Sequence, residues 1–273
     1  MARILIIRHA AEPRDLSHHG IAALGELWRE TGHTVDIAYG THNLPEADLA
    51  ILHVDLSVVP PNYREVAKAF PRVVNGRAFD IRKRRVSRNL LSRDDAWPGR
   101  VIVKSDLNCS GWPEWRAREQ ALQWGHQVPD IPEPVDPVIY VGIRAVPEKV
   151  WSDPFLVVER FVAEREGENF AIRHWIFFGD RDRCKRCLSP DPIIKGENII
   201  GVEDAPVPDA IRAVRRRLGL DFGKMDFVVR NDRPILFDAN KTPGPVPGSA
   251  TGGLPEFLAG GLDGFLAEAA LSA

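Results

Sequence analysis

Two aspartates, an asparagine and a lysine late in this sequence are spaced as a strand pair would need them to hold a cation. The stretch DFGKMDFVVRNDRPILFDANKTPG, residues 221–244, reads as a β-hairpin. Lys224 to Arg230 makes one strand, Asn231-Asp232-Arg233 the loop, and Pro234 to Asn240 the return strand. A three-residue loop pairs Arg230 with Pro234. The same register sets Val228 opposite Leu236, Asp226 opposite Asp238 and Lys224 opposite Asn240. Side chains alternate faces along a strand, and directly opposite partners share one. One face then carries Met225, Phe227, Val229, Ile235, Phe237 and Ala239, and suits a core. The other gathers Lys224, Asp226, Asp238 and Asn240 at one end. Opposed carboxylates repel, and a cation between them removes that cost. Hard oxygen donors of this kind suit Mg²⁺ or Mn²⁺, with phosphate oxygens completing the shell. On these residues alone, two acids on a solvent face account for the pattern equally well.

The elements that must position this hairpin follow an α/β plan at first. RILII is a buried strand. Ile21, Leu24, Leu27 and Trp28 mark one helix face, with Gly32 as its stop. TVDIAYG and LAILHVD are two further strands, VPPNYREVAKAF a turn and short helix, and RVVN another strand. IRKRRVSRNLLSR is basic and helix-compatible. Arg100 to Lys104 is a strand leading into a loop that holds Gly111. QVPDIPEPVDPVIY is a Pro-rich connection, and FLVVE and AIRHWIFFG are strands. A helix follows Pro208, with Ile211, Val214 and Leu218 on one face and Gly219 as its stop. SATGGLPEFLAGGLDGFLAEAALSA is a Gly-broken loop and a terminal packing helix.

Composition narrows the function classes. The 273 residues suffice for one large domain or two to three small ones. A net charge of −2 argues against a general nucleic-acid binder. No apolar run has the length of a membrane span, and the stretch at Ile4–Ile7 is too short for a signal-peptide core. The 3 cysteines cannot all pair within one chain, which favours the cytoplasm.

The segment LGLDFGKMDFVVRNDRPILFDANKTPG resembles the metal-binding end of ATP-grasp enzymes, of the RimK and D-alanine–D-alanine ligase type. Members carry an acid on one strand, then an acid-x-Asn pair and Pro-Gly; here these are Asp226, Asp238, Asn240 and Pro243-Gly244. The resemblance covers roughly residues 73–253 and implies roles for further residues. Lys224 would stand against the phosphates. Lys104, closing VIVK, and Lys83, in IRKRR, would be the two ATP-contacting lysines. The backbone from Glu159 through Arg160 and Phe161 to Val162 would hydrogen-bond adenine, and Glu166 or Glu168 the ribose. Arg173, with Lys195 or Arg186, would face the triphosphate. One departure stands out. The loop SDLNCSGWPE holds a single Gly where relatives are Gly-rich, so a backbone phosphate cradle is not expected.

Other signals carry less. Cys184-Lys-Arg-Cys187 is a lone C-x-x-C, read as two cysteines on a turn beside a strand, because a zinc site wants a second pair. RILIIRHA followed by LSHHG resembles the start of a histidine phosphatase, with His9 as nucleophile. That family needs a second active-site His late in the chain, and the last here is His174, within an apolar strand pattern. His9 then ends the first strand, where α/β sheets place ligands.

The sequence therefore implies an α/β and α+β protein with the ATP-grasp fold and a preceding α/β domain. Residues 1–80 form the preceding domain, 81–165 the small ATP-grasp subdomain and 166–273 the large one. The implied activity is ATP-dependent ligation, in which a carboxylate becomes an acyl phosphate and an amine or other nucleophile takes it. Substrates are small-molecule or peptide carboxylates and amines, with ATP and Mg²⁺ or Mn²⁺ as cofactors. No nucleic acid or membrane partner is expected, and a homodimer stays open. The alternatives are an ATP-grasp kinase, a nucleotide-binding protein without turnover and, least favoured, the phosphatase.

Overall fold

The computed structural model describes residues 1–244 and 253–270. Residues 245–252, where most of the Gly-broken loop was expected, lie outside the described residues.

The chain opens with a parallel sheet. Its strands are β1 (Arg3–Arg8), β2 (Thr34–Tyr39), β3 (Leu49–Leu52) and β4 (Val73–Val74), in the order β2-β1-β3-β4. Strands covered on both faces need continuous apolar runs; Ile4 to Ile7 and Leu49 to Leu52 are such runs and are fully buried. Helix α1 (Gly20–Glu30) lays Ile21, Leu24 and Trp28 on one face of this sheet. Burying each such side chain contributes about 1.5–3 kcal/mol. Gly32, with φ 92°, ends the helix in the left-handed conformation that Gly adopts without strain. Helix α2 (Pro61–Ala67) packs on the other face through Tyr63.

The basic stretch after residue 80 was read as helix-compatible. Only one turn forms, α3 (Lys83–Val86). The neighbouring backbone groups bond elsewhere: Lys83 N–H and Arg84 N–H donate to Asp106, and Leu91 N–H donates to the Val158 carbonyl. A segment whose amides are already satisfied by strands has none left for a helical ladder.

A small antiparallel sheet follows, ordered β6-β5-β7: β5 (Val101–Ser105), β6 (Val138–Tyr140) and β7 (Leu156–Arg160). Helix α4 (Trp112–Gln123), which no sequence signal had suggested, lies between β5 and β6, and the short α5 (Glu148–Ser152) precedes β7. The third sheet holds β8 (Glu164–Glu166), β9 (Asn169–Phe178), β10 (Arg181–Ser189), β11 (Gly201–Asp204), β12 (Phe222–Arg230) and β13 (Arg233–Asn240). Its order is β11-β10-β9-β12-β13, with β8 on β9. One face packs under α6 (Asp209–Leu218) through Trp175, Phe177, Met225, Phe227 and Ile211. The other joins Ile176, Phe178 and Phe222 to α1, α7 (Leu254–Ala259) and α8 (Leu262–Ala270).

Two expectations change here. Cys184 and Cys187 lie not on a turn but within β10, both buried. Residues three apart in a strand face opposite sides, so this pair cannot chelate one ion. The hairpin β12–β13 turns on two residues, Asn231 and Asp232, with φ of 49° and 58°. Paired positive φ values match strand twist, which favours this tight turn. Arg230 therefore pairs with Arg233 and Val228 with Ile235. A bulge between Asp226 and Phe227 then restores Asp226↔Asp238 and Lys224↔Asn240. The expected register is one residue off near the turn and correct at the polar end. A one-residue slip exchanges faces: Leu236, not Phe237, enters the core beside Met225 and Phe227, and Phe237 turns to the opposite side.

Candidate nucleotide site

A cavity of about 280 Å³ opens between the small sheet and the large one. Its wall includes Lys83, Lys104, Glu159, Asp226, Phe237 and Asp238. Lys104 alternates with Val101 and Val103, which go to the small sheet's core, so its ammonium turns to the cavity. There it pairs with Glu159 Oε2 at 2.8 Å and donates to the Phe237 carbonyl at 3.1 Å. The bulge that presents this carbonyl thus also seats the lysine. Lys83, the inward residue of α3, donates to the Leu107 carbonyl at 2.7 Å and stands 3.5 Å from Asp238 Oδ1.

Arg160, Phe161 and Val162 also line the cavity. Arg160 N–H donates to the Asn89 carbonyl and Phe161 N–H to the Arg100 carbonyl. Among the described residues no carbonyl takes the Val162 amide. That leaves it as this stretch's donor for a ligand edge.

Below this strip runs a row across the large sheet, in which Asp238, Asp226 and His174 are successive cross-strand partners. His174 Nδ1 lies 2.7 Å from Asp226 Oδ1, and Lys224 Nζ lies 3.1 Å from Asp226 Oδ2. Burial alone would lower the imidazole; the carboxylate beside it outweighs burial and lifts it to about 9. Burial likewise opposes ionisation of Asp226, and Lys224 and His174 hold it well below the usual carboxylate range. The opposed aspartates therefore do not repel as an isolated pair would, because Asp226 is already neutralised by two cations.

The donors fit a hard cation at the Asp238 end. Asp238 Oδ1 is buried and accepts no hydrogen bond. Asn240 Oδ1 accepts from Thr242 N–H at 2.8 Å. The Thr242 hydroxyl lies 2.5 Å from Asp55 and 3.2 Å from Asn240 Oδ1; given to the nearer carboxylate, its single proton leaves one lone pair of the amide oxygen open. Asp226, directly opposite Asp238 in the register, is the third donor of that end, its two oxygens shared with His174 and Lys224. Among the described residues no group of three His, Cys, Asp or Glu side chains could hold a metal. The protein thus offers two carboxylates and an amide, and phosphate and water supply the rest, which is the usual pattern for Mg²⁺.

Other residues named from the sequence lie elsewhere. Arg173 shares a strand face with Trp175 and Phe177, opposite to Ile172 and His174, and its guanidinium is bound to Glu164 at 3.0 Å. Arg186 bonds to the same Glu164 at 2.7 Å and to Glu166. Glu166 is thereby held in an ion network, and Glu168 is exposed at the β8–β9 turn. Lys195 is half-exposed, beyond the cavity residues Ile193 and Ile194, and pairs with Asp136 at 3.3 Å. Arg8 is fully buried against Glu12 at 2.7 Å, so the phosphatase reading loses its phosphate clamp. His9 packs against Tyr63, and burial lowers its imidazole.

Sequence reasoning missed His174 and Phe237. His174 follows only from the β9–β12 register, and Phe237 only from the bulge. The loop after β5, with its single Gly, was not expected to form a backbone cradle; Cys109, Ser110 and Gly111 take positive φ in succession there, and the first two line the cavity.

No family model matches the chain, and no curated protein matches it. Solved structures do. The D-alanine–D-alanine ligase of Bacillus anthracis aligns over 100% of this chain and 98% of its own, with TM-score 0.54 and 13% identity. The same enzyme complexed with ATP aligns over 99% and 97%, with TM-score 0.54 and 11% identity. A RimK domain ATP-grasp protein of Sphaerobacter thermophilus aligns over 97% and 100%, with TM-score 0.52 and 12% identity. At such identities the likeness is one of fold, and the fold is ATP-grasp, as the sequence implied.

Proposed function

We propose that this protein is an ATP-dependent ligase that activates a carboxylate as an acyl phosphate. The observation that carries this reading is the opposition, in one cavity, of Lys83 and Lys104 to Asp226 and Asp238, beneath the Glu159–Val162 strip. Adenine would lie along that strip with Val162 N–H as its donor, and the phosphates would run toward Lys104, Lys83 and Lys224. We assign residues 1–80 to acceptor recognition, 81–165 to the small nucleotide-binding part and 166–273 to the large part.

In the reaction a substrate carboxylate oxygen bonds to the γ-phosphorus, and the bond to the β–γ bridging oxygen breaks, releasing ADP. An amine then attacks the acyl carbon, phosphate leaves with the carbonyl–oxygen bond pair, and the amine gives up a proton. The protein's part is positioning and electrostatics. Lys83 and Lys104 neutralise charge on the transferring oxygens. His174 holds Asp226, and Asp226 holds Lys224 in place. Phe237 and Val228 form a dry floor that strengthens these contacts. A divalent cation, when bound by Asp238 and Asn240 with Asp226 across from them, supplies further neutralisation of the phosphates.

The test is ADP release from ATP and Mg²⁺ across a panel of amino acids, short peptides and amines, with mass spectrometry of the products. A condensed product is expected. A stable phosphorylated acceptor would make the protein a kinase instead. A protein that binds nucleotide and never releases ADP with any acceptor would make it a binding module.

A further inference from the structure

A second cavity, of 520 Å³, lies on the outer side of the segment that carries Lys83. It is lined by Arg64, Arg77, Arg82, Arg85 and Arg217, with Asp80 as the single carboxylate and Phe79 and Leu218 as its apolar edge. Five arginines and one carboxylate lining a single cavity, in a chain of net charge −2, are a local excess of positive charge.

The local structure holds the arginines in place. Arg82 chelates Asp80 at 2.7 and 3.0 Å, and Arg85 reaches the same carboxylate only at 3.8 Å. Arg64 is fixed by the Val59 carbonyl at 2.9 Å and lies over the Phe79 ring. The stem of Arg77 packs against Gly219, where a Cβ would meet the Arg77 Cβ at 2.7 Å. Gly219 thus serves two ends: its φ of 66° stops α6, and its missing side chain admits Arg77 beside Arg217. Among the described residues the guanidinium groups of Arg77 and Arg217, both lining the cavity, make no hydrogen bond or ion pair. Like charges brought together without counter-charge repel, so a cavity of this kind is stabilised by an anion. Guanidinium groups in a fixed concave array suit several anionic oxygens at close spacing.

The geometry points to a binding site for a compact polyanion, a polyphosphate or a small polycarboxylate, enclosed by Arg64, Arg77, Arg85 and Arg217. This site stands whether or not the first cavity takes a nucleotide. It lies back to back with that cavity across α3, where Lys83 faces inward and Arg85, with 67% of its side chain exposed, faces out.

The experiment is calorimetric titration of the full chain with tripolyphosphate and, separately, with citrate. Four proteins are compared: wild type, Arg77→Gln/Arg217→Gln, Arg85→Gln and Lys104→Met/Glu159→Gln, which removes the first cavity's buried ion pair whole and so spares the fold. Wild type is expected to bind at least one of the two anions, and which one identifies the source of the charge. Affinity for the arginine-lined cavity should fall roughly tenfold for each guanidinium removed and weaken with added salt, and that binding step should persist in Lys104→Met/Glu159→Gln. If the double variant melts early, Arg85→Gln decides the matter, since that exposed side chain carries no packing. No binding of either anion overturns the proposal, as does binding that both arginine variants retain. Loss confined to Lys104→Met/Glu159→Gln would place the anion in the first cavity and overturn it too. A hexaglutamate peptide that binds where neither small anion does would assign the surface to a protein partner instead.

Discussion

His174 and Asp226 are direct cross-strand partners, and their side chains meet at 2.7 Å beside the candidate nucleotide cavity. The pair has a pH signature. The folded-state imidazole titrates at about 9 against 6.5 for the free group. Its stabilising contribution is therefore complete below pH 6.5 and is lost as pH rises through 9. Lys241, whose amine burial lowers from 10.5 to about 7, acts with the opposite sign between those values. The readout is thus the difference between wild type and His174→Gln in urea unfolding at pH 6, 7.5 and 9. Wild type should lose up to roughly 3 kcal/mol relative to the variant across that range. Parallel curves would contradict the ion pair.

The two hairpin aspartates should part company in the apo protein. Asp226 accepts from His174 and Lys224, so Asp226→Asn leaves two buried cations with a weaker acceptor. A loss of about 3 kcal/mol is expected, typical of a broken buried pair. Among the described residues Asp238 has only Lys83 at 3.5 Å, and Asp238→Asn should stay within about 1 kcal/mol of wild type. Thermal melts without nucleotide or metal check this. Equal losses would mean that Asp226 is not held as described.

Lys104 carries two burdens that can be separated. Glu159 is 1% exposed, so Lys104→Met strands a buried carboxylate and should destabilise the fold by about 3–5 kcal/mol. Lys104→Met/Glu159→Gln removes both charges and should recover most of that loss. Neither variant should recover nucleotide affinity. Recovery of both stability and affinity in the double variant would remove Lys104 from the site.

The bulge is tested by truncating neighbours. Leu236 packs in the core and Phe237 faces the cavity. Leu236→Ala should cost about 2–5 kcal/mol. Phe237→Ala should cost less and weaken nucleotide binding more. Chemical denaturation of both variants gives the comparison, and the reverse ranking would restore the register without the bulge.

These contrasts mark where the sequence was legible. Apolar runs and Gly stops located β1, α1, α6 and the hairpin, because buried strands and helix ends have local chemical requirements. Asp226↔Asp238 was readable because a hairpin's pairing is local. His174 was not, since its partner lies 52 residues away and pairing between distant strands leaves no local trace. Arg173 was misplaced for a related reason: alternation along β9 puts it with Trp175 and Phe177, on the face away from the cavity. The two-residue turn escaped notice because Asn231-Asp232 lacks the Gly that usually marks it.

ATP is proposed to bind in the cavity between the small and large sheets, held by the lysines and the Asp238 end of the hairpin. Calorimetric titration of wild type, Lys83→Met and Asp238→Asn with a non-hydrolysable ATP analogue, with and without Mg²⁺, tests it most directly. Wild type should bind one equivalent, and more tightly with Mg²⁺. Lys83→Met should lose roughly tenfold or more under both conditions, and Asp238→Asn should lose chiefly the gain from Mg²⁺. A wild type that binds no nucleotide, or variants that bind it as wild type does, would contradict the account.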